Sequence, residues 1–333
     1  MARTAKMRMW FSVVFVLCLI WLSVSRRRPG FTATASIGYQ RMPPLPPLKS
    51  TFIYASRNDD YNAFSSALRL KASLNALDRG LVQFGLESVS EIMVVDWASS
   101  SPLEKIPDMR EGISTCVRWL FISPELLDDL NMSRTYMSEV HAYNAAARRA
   151  RGELILRLDQ DTILTPAFFN WFARFHSYDE DTYIMFGRRD SSLAERDRIL
   201  EDAWAYVRNK SAVLSTPLWN NQFSVSGFKK GSGAIGVIIF ARSLWSRLQG
   251  YNEAMVGWGH MEVELFRRAF VATNRTADLP SDVNEWYPAI HIHHDRANNN
   301  KSVNPMGLEN SERKYNPAFG FAFEQLEETG WSC

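Results

Sequence analysis

From Thr51 onward, short apolar runs alternate with longer stretches in which apolar residues return every three or four positions. Thr51–Ala55, Glu91–Asp96, Val117–Ile122 and Glu153–Leu158 read as strands. Tyr61–Arg79 reads as a helix, with Ala67, Leu70, Leu74 and Leu77 along one face and Gly80 as its stop, and Tyr136–Ala150 reads as another. Past Phe186 the pattern changes. It predicts one long polar helix over Ser191–Arg208, a loop-rich stretch through Gly233, a buried strand at Ala234–Phe240, a helix at Ala241–Leu248, a turn region at Gly250–Gly259 and a helix at Glu262–Ala272. This alternation of strand and helix predicts an α/β, mostly parallel, doubly wound sheet, in which ligands collect at the carboxyl ends of the strands. Ser56–Asp59, Asp96–Ser99 and Asp159–Asp161 all fall at such ends.

The first fifty residues follow a different pattern. Met9–Val24 is an almost unbroken apolar run, with Arg3, Lys6 and Arg8 before it and Arg26, Arg27 and Arg28 after it. It is somewhat shorter than the roughly 20 residues of a typical membrane span, which suits a thin early-secretory membrane. Three arginines directly after the run disfavour a cleaved signal peptide, although Ala33-Thr34-Ala35 resembles a cleavage site. The expected organisation is a cytoplasmic tail over residues 1–8, a signal anchor over 9–25, a stiff stem over 26–50 that contains Pro43, Pro44, Pro46 and Pro47, and a folded body over 51–333. Sequons at Asn131, Asn209, Asn274 and Asn300 fit a luminal body and a single-pass type II protein of the Golgi or ER membrane.

Setting the first fifty residues aside inverts the charge balance. They hold eight of the 38 Lys and Arg and none of the 36 Asp and Glu, which leaves residues 51–333 with a formal net charge of −6. The basic footprint of a nucleic-acid partner is therefore missing, and none is expected. Of the three cysteines, Cys18 lies in the apolar run, while Cys116 and Cys333 are free to pair or not in an oxidising lumen.

The chemistry concentrates in three blocks. The strand before Asp159-Gln160-Asp161 is apolar apart from Arg157, and alternation along a strand would let both carboxylates point the same way and share one hard divalent cation. Asp-x-Asp alone is equally a turn or helix cap. Preceded by Asn144-Ala-Ala-Ala-Arg-Arg-Ala-Arg-Gly152, however, it resembles the nucleotide-sugar-binding half of GT-A glycosyltransferases, especially the family-2 type. That resemblance implies Asp161 on the metal, Asp159 on the metal or the ribose, Asp96 on the uracil, and Arg57 or Asn58 lining the same cleft.

The second block runs from Gly233 and the Ala234–Phe240 strand through Gly250-Tyr251-Asn252 to Gly257-Trp-Gly-His-Met-Glu-Val-Glu-Leu265. It is similar to the C-terminal motif of the β-1,4-galactosyltransferase group. The resemblance implies Glu262 as the catalytic base, Glu264 at the acceptor, and Trp258 between donor and acceptor sugars. His260 and Met261 stand where that motif has Gly-Glu. The bland reading of Glu262 and Glu264 is a pair of carboxylates favoured by a helix N-terminus. In the third block, Ala289-Ile-His-Ile-His-His-Asp295, alternation would put His291 and His293 on one strand face as a zinc-like pair. The family layout instead implies His294 as the third metal ligand, with His293 as its rival. A mixed carboxylate and imidazole set suits Mn²⁺ better than Mg²⁺. Between the blocks, Asn220–Gly233 reads either as an exposed loop or as a lid whose Lys229 or Lys230 reaches a diphosphate.

The expected protein is thus a GT-A (Rossmann-like) glycosyltransferase with a nucleotide half over about 51–165 and an acceptor half over about 166–310. It would move a hexose or N-acetylhexosamine from a UDP-sugar to a glycan hydroxyl, inverting and Mn²⁺-dependent, with Mg²⁺ as the alternative ion. Two other classes stay open at this level: a metal-dependent hydrolase built on Asp159, Asp161, His291 and His293, and an inactive glycan-binding module of the same fold.

Overall fold

The computed structural model describes residues 48–59, 65–132, 137–209, 235–255, 259–275, 288–294, 319–321, 326–331 and 333. The apolar run, the stem up to residue 47, Trp258, Lys229 and Lys230 lie outside these residues, and Ser50, expected as the last stem residue, opens the first strand. Among the described residues no helix is long and apolar enough to cross a membrane.

β1 (Ser50–Ser56) is buried along its whole length and sits between two parallel partners, β2 (Ser90–Trp97) and β4 (Leu154–Asp159). β3 (Cys116–Ile122) extends the parallel set beyond β2. Among the described residues the main sheet has seven strands, completed by β10 (Glu327–Trp331) antiparallel to β3, β8 (Ile235–Ala241) antiparallel to β4, and β6 (Tyr183–Gly187) antiparallel to β8. The result is the mixed, mostly parallel α/β sheet that the GT-A resemblance implies. A small second sheet joins β5 (Thr162–Leu164), β9 (Ala289–His291) and β7 (Arg189–Asp190).

Alternation along β1 explains the two layers of core. Phe52 and Tyr54 face one side and pack with Leu70, Leu74 and Leu77 of α1 (Ser66–Gln83). Ile53 and Ala55 face the other and pack with Tyr143, Ala145 and Ala146 of the helix over Glu139–Arg149. A sheet covered on both faces produces near-continuous apolar strands, which is how β1, β2 and β4 read.

Three local expectations are revised. α1 does not stop at Gly80 but runs on to Gln83. Gly80 is there for space, since a Cβ at that position would lie 2.2 Å from the Phe169 ring. The long polar helix over Ser191–Arg208 is two helices, Leu193–Glu201 and Ala203–Arg208, parted at Asp202. Asp202 adopts an extended backbone, and its carboxylate accepts from the Ala205 N–H at 2.9 Å, so a side chain that reads as helix surface is a cap. The helix expected from Tyr136 begins at Glu139, after Ser138.

The helices before and after β4 are numbered α2 (Pro124–Asp129), α3 (Glu139–Arg149), α4 (Pro166–Arg174), α5 and α6 for the pair just described, α7 (Arg242–Leu248) and α8 (Met261–Thr273). Two long-range ties join later parts of the chain to α3 and β3. Asn144, fully buried on α3, accepts the Tyr251 N–H at 2.8 Å and donates to the Tyr251 carbonyl at 2.9 Å and to Glu253 Oε1 at 3.0 Å. Gly250, at φ +57°, makes this approach possible, because a Cβ there would lie 2.0 Å from Asn144 Oδ1. Truncating Asn144 to alanine strands buried backbone groups of Tyr251, and the expected loss is about 3 kcal/mol in denaturant titration.

The second tie is covalent. Cys116, at the start of β3, is bonded to Cys333, 217 positions further along the sequence. The pairing that the sequence leaves open is therefore present. Cys333→Ser is expected to lower unfolding stability by about 2–4 kcal/mol, read as a lower melting temperature that the wild type reproduces only under reductant.

Candidate metal and sugar-nucleotide site

β4 ends at Asp159, and the chain then turns through Gln160 and Asp161 before β5 begins at Thr162. The turn interrupts strand alternation, so the two carboxylates do not share partners. Asp161 is almost fully buried and reaches inward, where its Oδ2 accepts from Arg69 Nη1 of α1 at 2.7 Å. Its Oδ1 lies 3.1 Å from His291 Nε2, and its Oδ2 lies 3.3 Å from His294 Nε2. Asp159 instead meets two guanidiniums, with Oδ1 2.7 Å from Arg157 Nη2 and Oδ2 against Arg188 Nη1.

Backbone register delivers the histidines. β9 pairs antiparallel with β5, so His291 lies opposite Thr162, and the Ile292 N–H donates to the Asp161 carbonyl at 2.9 Å. Past His291 the strand geometry ends, and His291 and His294 converge with ring centroids 4.9 Å apart. His293 is held by its backbone N–H, which donates to Ser191 Oγ at 2.9 Å. Strand alternation had paired His291 with His293, whereas the break in the strand pairs His291 with His294.

Asp161, His291 and His294 each present a ligand atom, and these atoms all lie within 4.8 Å of one another. Among the described residues this is the one such group of three. Its fit to a cation can be judged from the donor set: one carboxylate and two imidazoles, with His291 Nδ1 set 3.3 Å from Asp190 Oδ1 so that Nε2 is left facing inward. A histidine held through its second nitrogen by a carboxylate is the usual way an imidazole ligand is oriented. Burial pushes the Asp161 carboxyl up, but His291, His294 and Arg69 outweigh it and hold the group well below the usual carboxylate range. The residues therefore fit a divalent ion of the N/O-binding kind.

Glu262 approaches from α8, where it sits in the first turn behind His260, whose φ of +61° swings the chain into the helix. Its Oε1 lies 3.4 Å from Arg157 Nη2, the nitrogen that also holds Asp159. The base expected from the second block and the first carboxylate of the acidic pair thus share one guanidinium. Burial raises the Glu262 carboxyl above its ordinary range, against the pull of Arg157. Glu264, two residues on, faces the other way, as a rotation of about 200° along a helix requires. It is buried, and its carboxylate takes both Arg268 Nε at 2.6 Å and Arg268 Nη2 at 2.7 Å. Arg268 in turn donates to the carbonyls of Leu248 and Gly250, so the structure gives Glu264 a scaffold role in place of the expected acceptor contact. Met261, standing where the resembled motif has an acid, is core.

No protein-family profile matches the chain, and no curated protein matches it in sequence. Among solved structures, it is similar to Staphylococcus aureus TarS in complex with UDP, at 13% identity and TM-score 0.46 over 73% of this chain and 60% of that one. A longer TarS chain is covered only to 37%. It is also similar to the mannosyltransferase PcManGT from Pyrobaculum calidifontis in complex with GDP-Man and Mn²⁺, at 17% identity and TM-score 0.41 over 77% and 62%. The third is Drosophila β1,4-galactosyltransferase 7 in complex with xylobiose, at 10% identity and TM-score 0.44 over 81% and 82%.

The remaining residues expected on the nucleotide side lie at the ends of β1 and β2. Asp96 is buried and already satisfied, one oxygen by Ser99 Oγ and the other by the Leu103 N–H at 2.7 Å. Burial raises its carboxyl to about 6. The Asn58 N–H donates to Ser99 Oγ at 2.7 Å and its Nδ2 to the Ser101 carbonyl at 3.0 Å, which stitches the two strand ends together. Arg57 lies beside Asp59 at 3.5 Å. Trp258 and Lys230 fall outside the described residues. Sequence reasoning passed over Arg69, Glu139, Arg157, Arg188 and Asp190. The one available signal was Arg157, a charge in the middle of an apolar strand.

Proposed function

We propose that the chain is a glycosyltransferase that uses a UDP-sugar and Mn²⁺ and transfers a hexose or N-acetylhexosamine with inversion to a glycan or glycoconjugate hydroxyl. The observation that carries this reading is the convergence of two sites on one strand end. The Asp161–His291–His294 group lies beyond the end of β4, and Glu262 meets the last residue of that strand, Asp159, across Arg157. Such an ion, held by Asp161, His291 and His294, supplies positive charge against a departing diphosphate. The chain's own residues do the rest: Glu262 takes the proton of the acceptor hydroxyl, Arg188 and Arg157 fix Asp159 at the mouth of the nucleotide cleft, and Asp190 orients His291. The hydrolase set of Asp159, Asp161, His291 and His293 is less favoured, because Asp159 is taken by arginines and the His291 partner is His294.

The apolar run at Met9–Val24, the sequons and the Cys116–Cys333 bond together support a type II anchor and a luminal body in the Golgi or ER. The deciding experiment incubates the protein with UDP-galactose, UDP-N-acetylgalactosamine and UDP-N-acetylglucosamine, each with Mn²⁺ or with EDTA, over a panel of glycan acceptors. A new glycoside formed only with Mn²⁺ is expected. Release of sugar or phosphate without any glycoside would sink the reading.

A further inference from the structure

Arg157 is 3% exposed, in the middle of an otherwise apolar strand, with its guanidinium carbon 4.9 Å from the centre of the Tyr143 ring. A buried charge persists only where it is compensated. Here compensation is excessive, because three carboxylates converge on the single atom Nη2. Asp159 Oδ1 of β4 lies at 2.7 Å, Glu139 Oε2 of α3 at 3.1 Å and Glu262 Oε1 of α8 at 3.4 Å. Arg188, following β6, brings a second guanidinium to Asp159. Arg188 also faces Asp190, its Nε 3.6 Å from Asp190 Oδ1, and Asp190 lies 3.3 Å from His291 Nδ1. Tyr143 and Tyr251 flank the cluster as well, and burial raises both phenols well above their ordinary value, so they stay neutral. With Arg188 divided between Asp159 and Asp190, the three carboxylates on Arg157 Nη2 leave negative charge in surplus around a buried guanidinium. A low-dielectric interior relieves such a surplus by binding a proton.

Resting on the glycosyltransferase reading above, we infer that Arg157 is a positioning residue that locks Glu262 beside Asp159, and that Glu139 holds the cluster's surplus proton, which leaves Glu262 ionised for the acceptor. In the transfer step the acceptor oxygen gives its proton to Glu262 and forms the new bond to the anomeric carbon, while the bond to the diphosphate breaks and the diphosphate leaves with that electron pair. Glu139 stays protonated throughout. Burial, with Asp159 and Glu262 adding to it against Arg157, pushes the Glu139 carboxyl up to about 7, which agrees with this assignment.

The first measurement needs no substrate. A carboxyl whose folded-state value is raised binds its proton more tightly when folded, so its contribution is full at low pH and is lost as pH rises through about 7. Glu139→Gln cannot ionise. Its melting temperature should match wild type near pH 5 and exceed it by about 5 °C at pH 8. A difference that stays flat with pH overturns the role of Glu139. The second measurement follows UDP formation from the three UDP-sugars named above, with Mn²⁺ and the acceptor panel. Arg157→Lys keeps the charge but cannot span three carboxylates. It should lower kcat about 100-fold, change the donor KM little, and move the acid limb of the pH profile upward, because Arg157 is what holds Glu262 down. Glu139→Gln should leave that limb where it is, because the glutamate it replaces is already neutral there. Wild-type kcat and an unmoved limb in folded Arg157→Lys overturn the positioning role. If wild type forms no glycoside, the glycosyltransferase reading falls, and the melting experiment still decides where the proton sits.

Discussion

Asp161→Asn is expected to abolish Mn²⁺-supported binding of UDP, a loss of at least about 1,000-fold in affinity, while the folded protein keeps its circular dichroism spectrum. The change removes a charge from the group that His291, His294 and Arg69 all face. An amide oxygen can still accept from Arg69, so the helix α1 contact survives in part, but the amide neither neutralises the guanidinium nor offers a hard anionic ligand. Two imidazoles alone hold a divalent ion weakly in an oxygen-preferring setting, and the diphosphate then meets no cation. Isothermal titration of UDP with and without Mn²⁺ separates the outcomes. Undiminished Mn²⁺-dependent binding in Asp161→Asn would place the ion elsewhere. His291→Ala should reproduce most of the loss, and His293→Ala should not, because His293 is engaged through its backbone at Ser191.

Glu262→Gln is expected to do the opposite, sparing UDP binding and lowering turnover by about 10³-fold, within the range that removal of a general base produces. Gln keeps the shape of the residue and a hydrogen-bond acceptor toward Arg157, and the metal group does not touch it. What is lost is the capacity to take a proton. The pH dependence carries the same sign: burial raises the Glu262 carboxyl, so wild-type activity should fall as the solution is acidified through that raised value, at a higher pH than an exposed glutamate would show. Near-normal transfer by Glu262→Gln would assign the proton to another group.

How far the sequence speaks for this architecture differs by element. β1, β2, β4, β8 and α8 are legible because each carries its periodicity within its own residues, and they bring with them the Asp159–Asp161 turn and Glu262. The short strands β5, β7 and β9 have two or three residues each, and they exist because of a partner far along the chain. No local pattern announces them. His291 is the clearest cost of that blindness. Read as a uniform strand, it points with His293, but the strand ends at His291 and the next residues wind it toward His294. Arg157 shows a different limit. Its charge in an apolar run is visible at once, yet its meaning depends on Glu139 and Glu262, which come from two helices 123 positions apart. Glu264 shows a third: a family motif places it, but only the helix face decides that it meets Arg268.

The cystine also has a practical side. With Cys116 and Cys333 joined, every residue from β4 through His294 belongs to a closed ring. A protease that nicks this ring once leaves two fragments still in one piece, so cleaved protein will run as a single band until dithiothreitol is added. Trypsin-treated material can therefore look intact on an ordinary gel, and purity assays done without thiol will overlook clipping between β4 and α8.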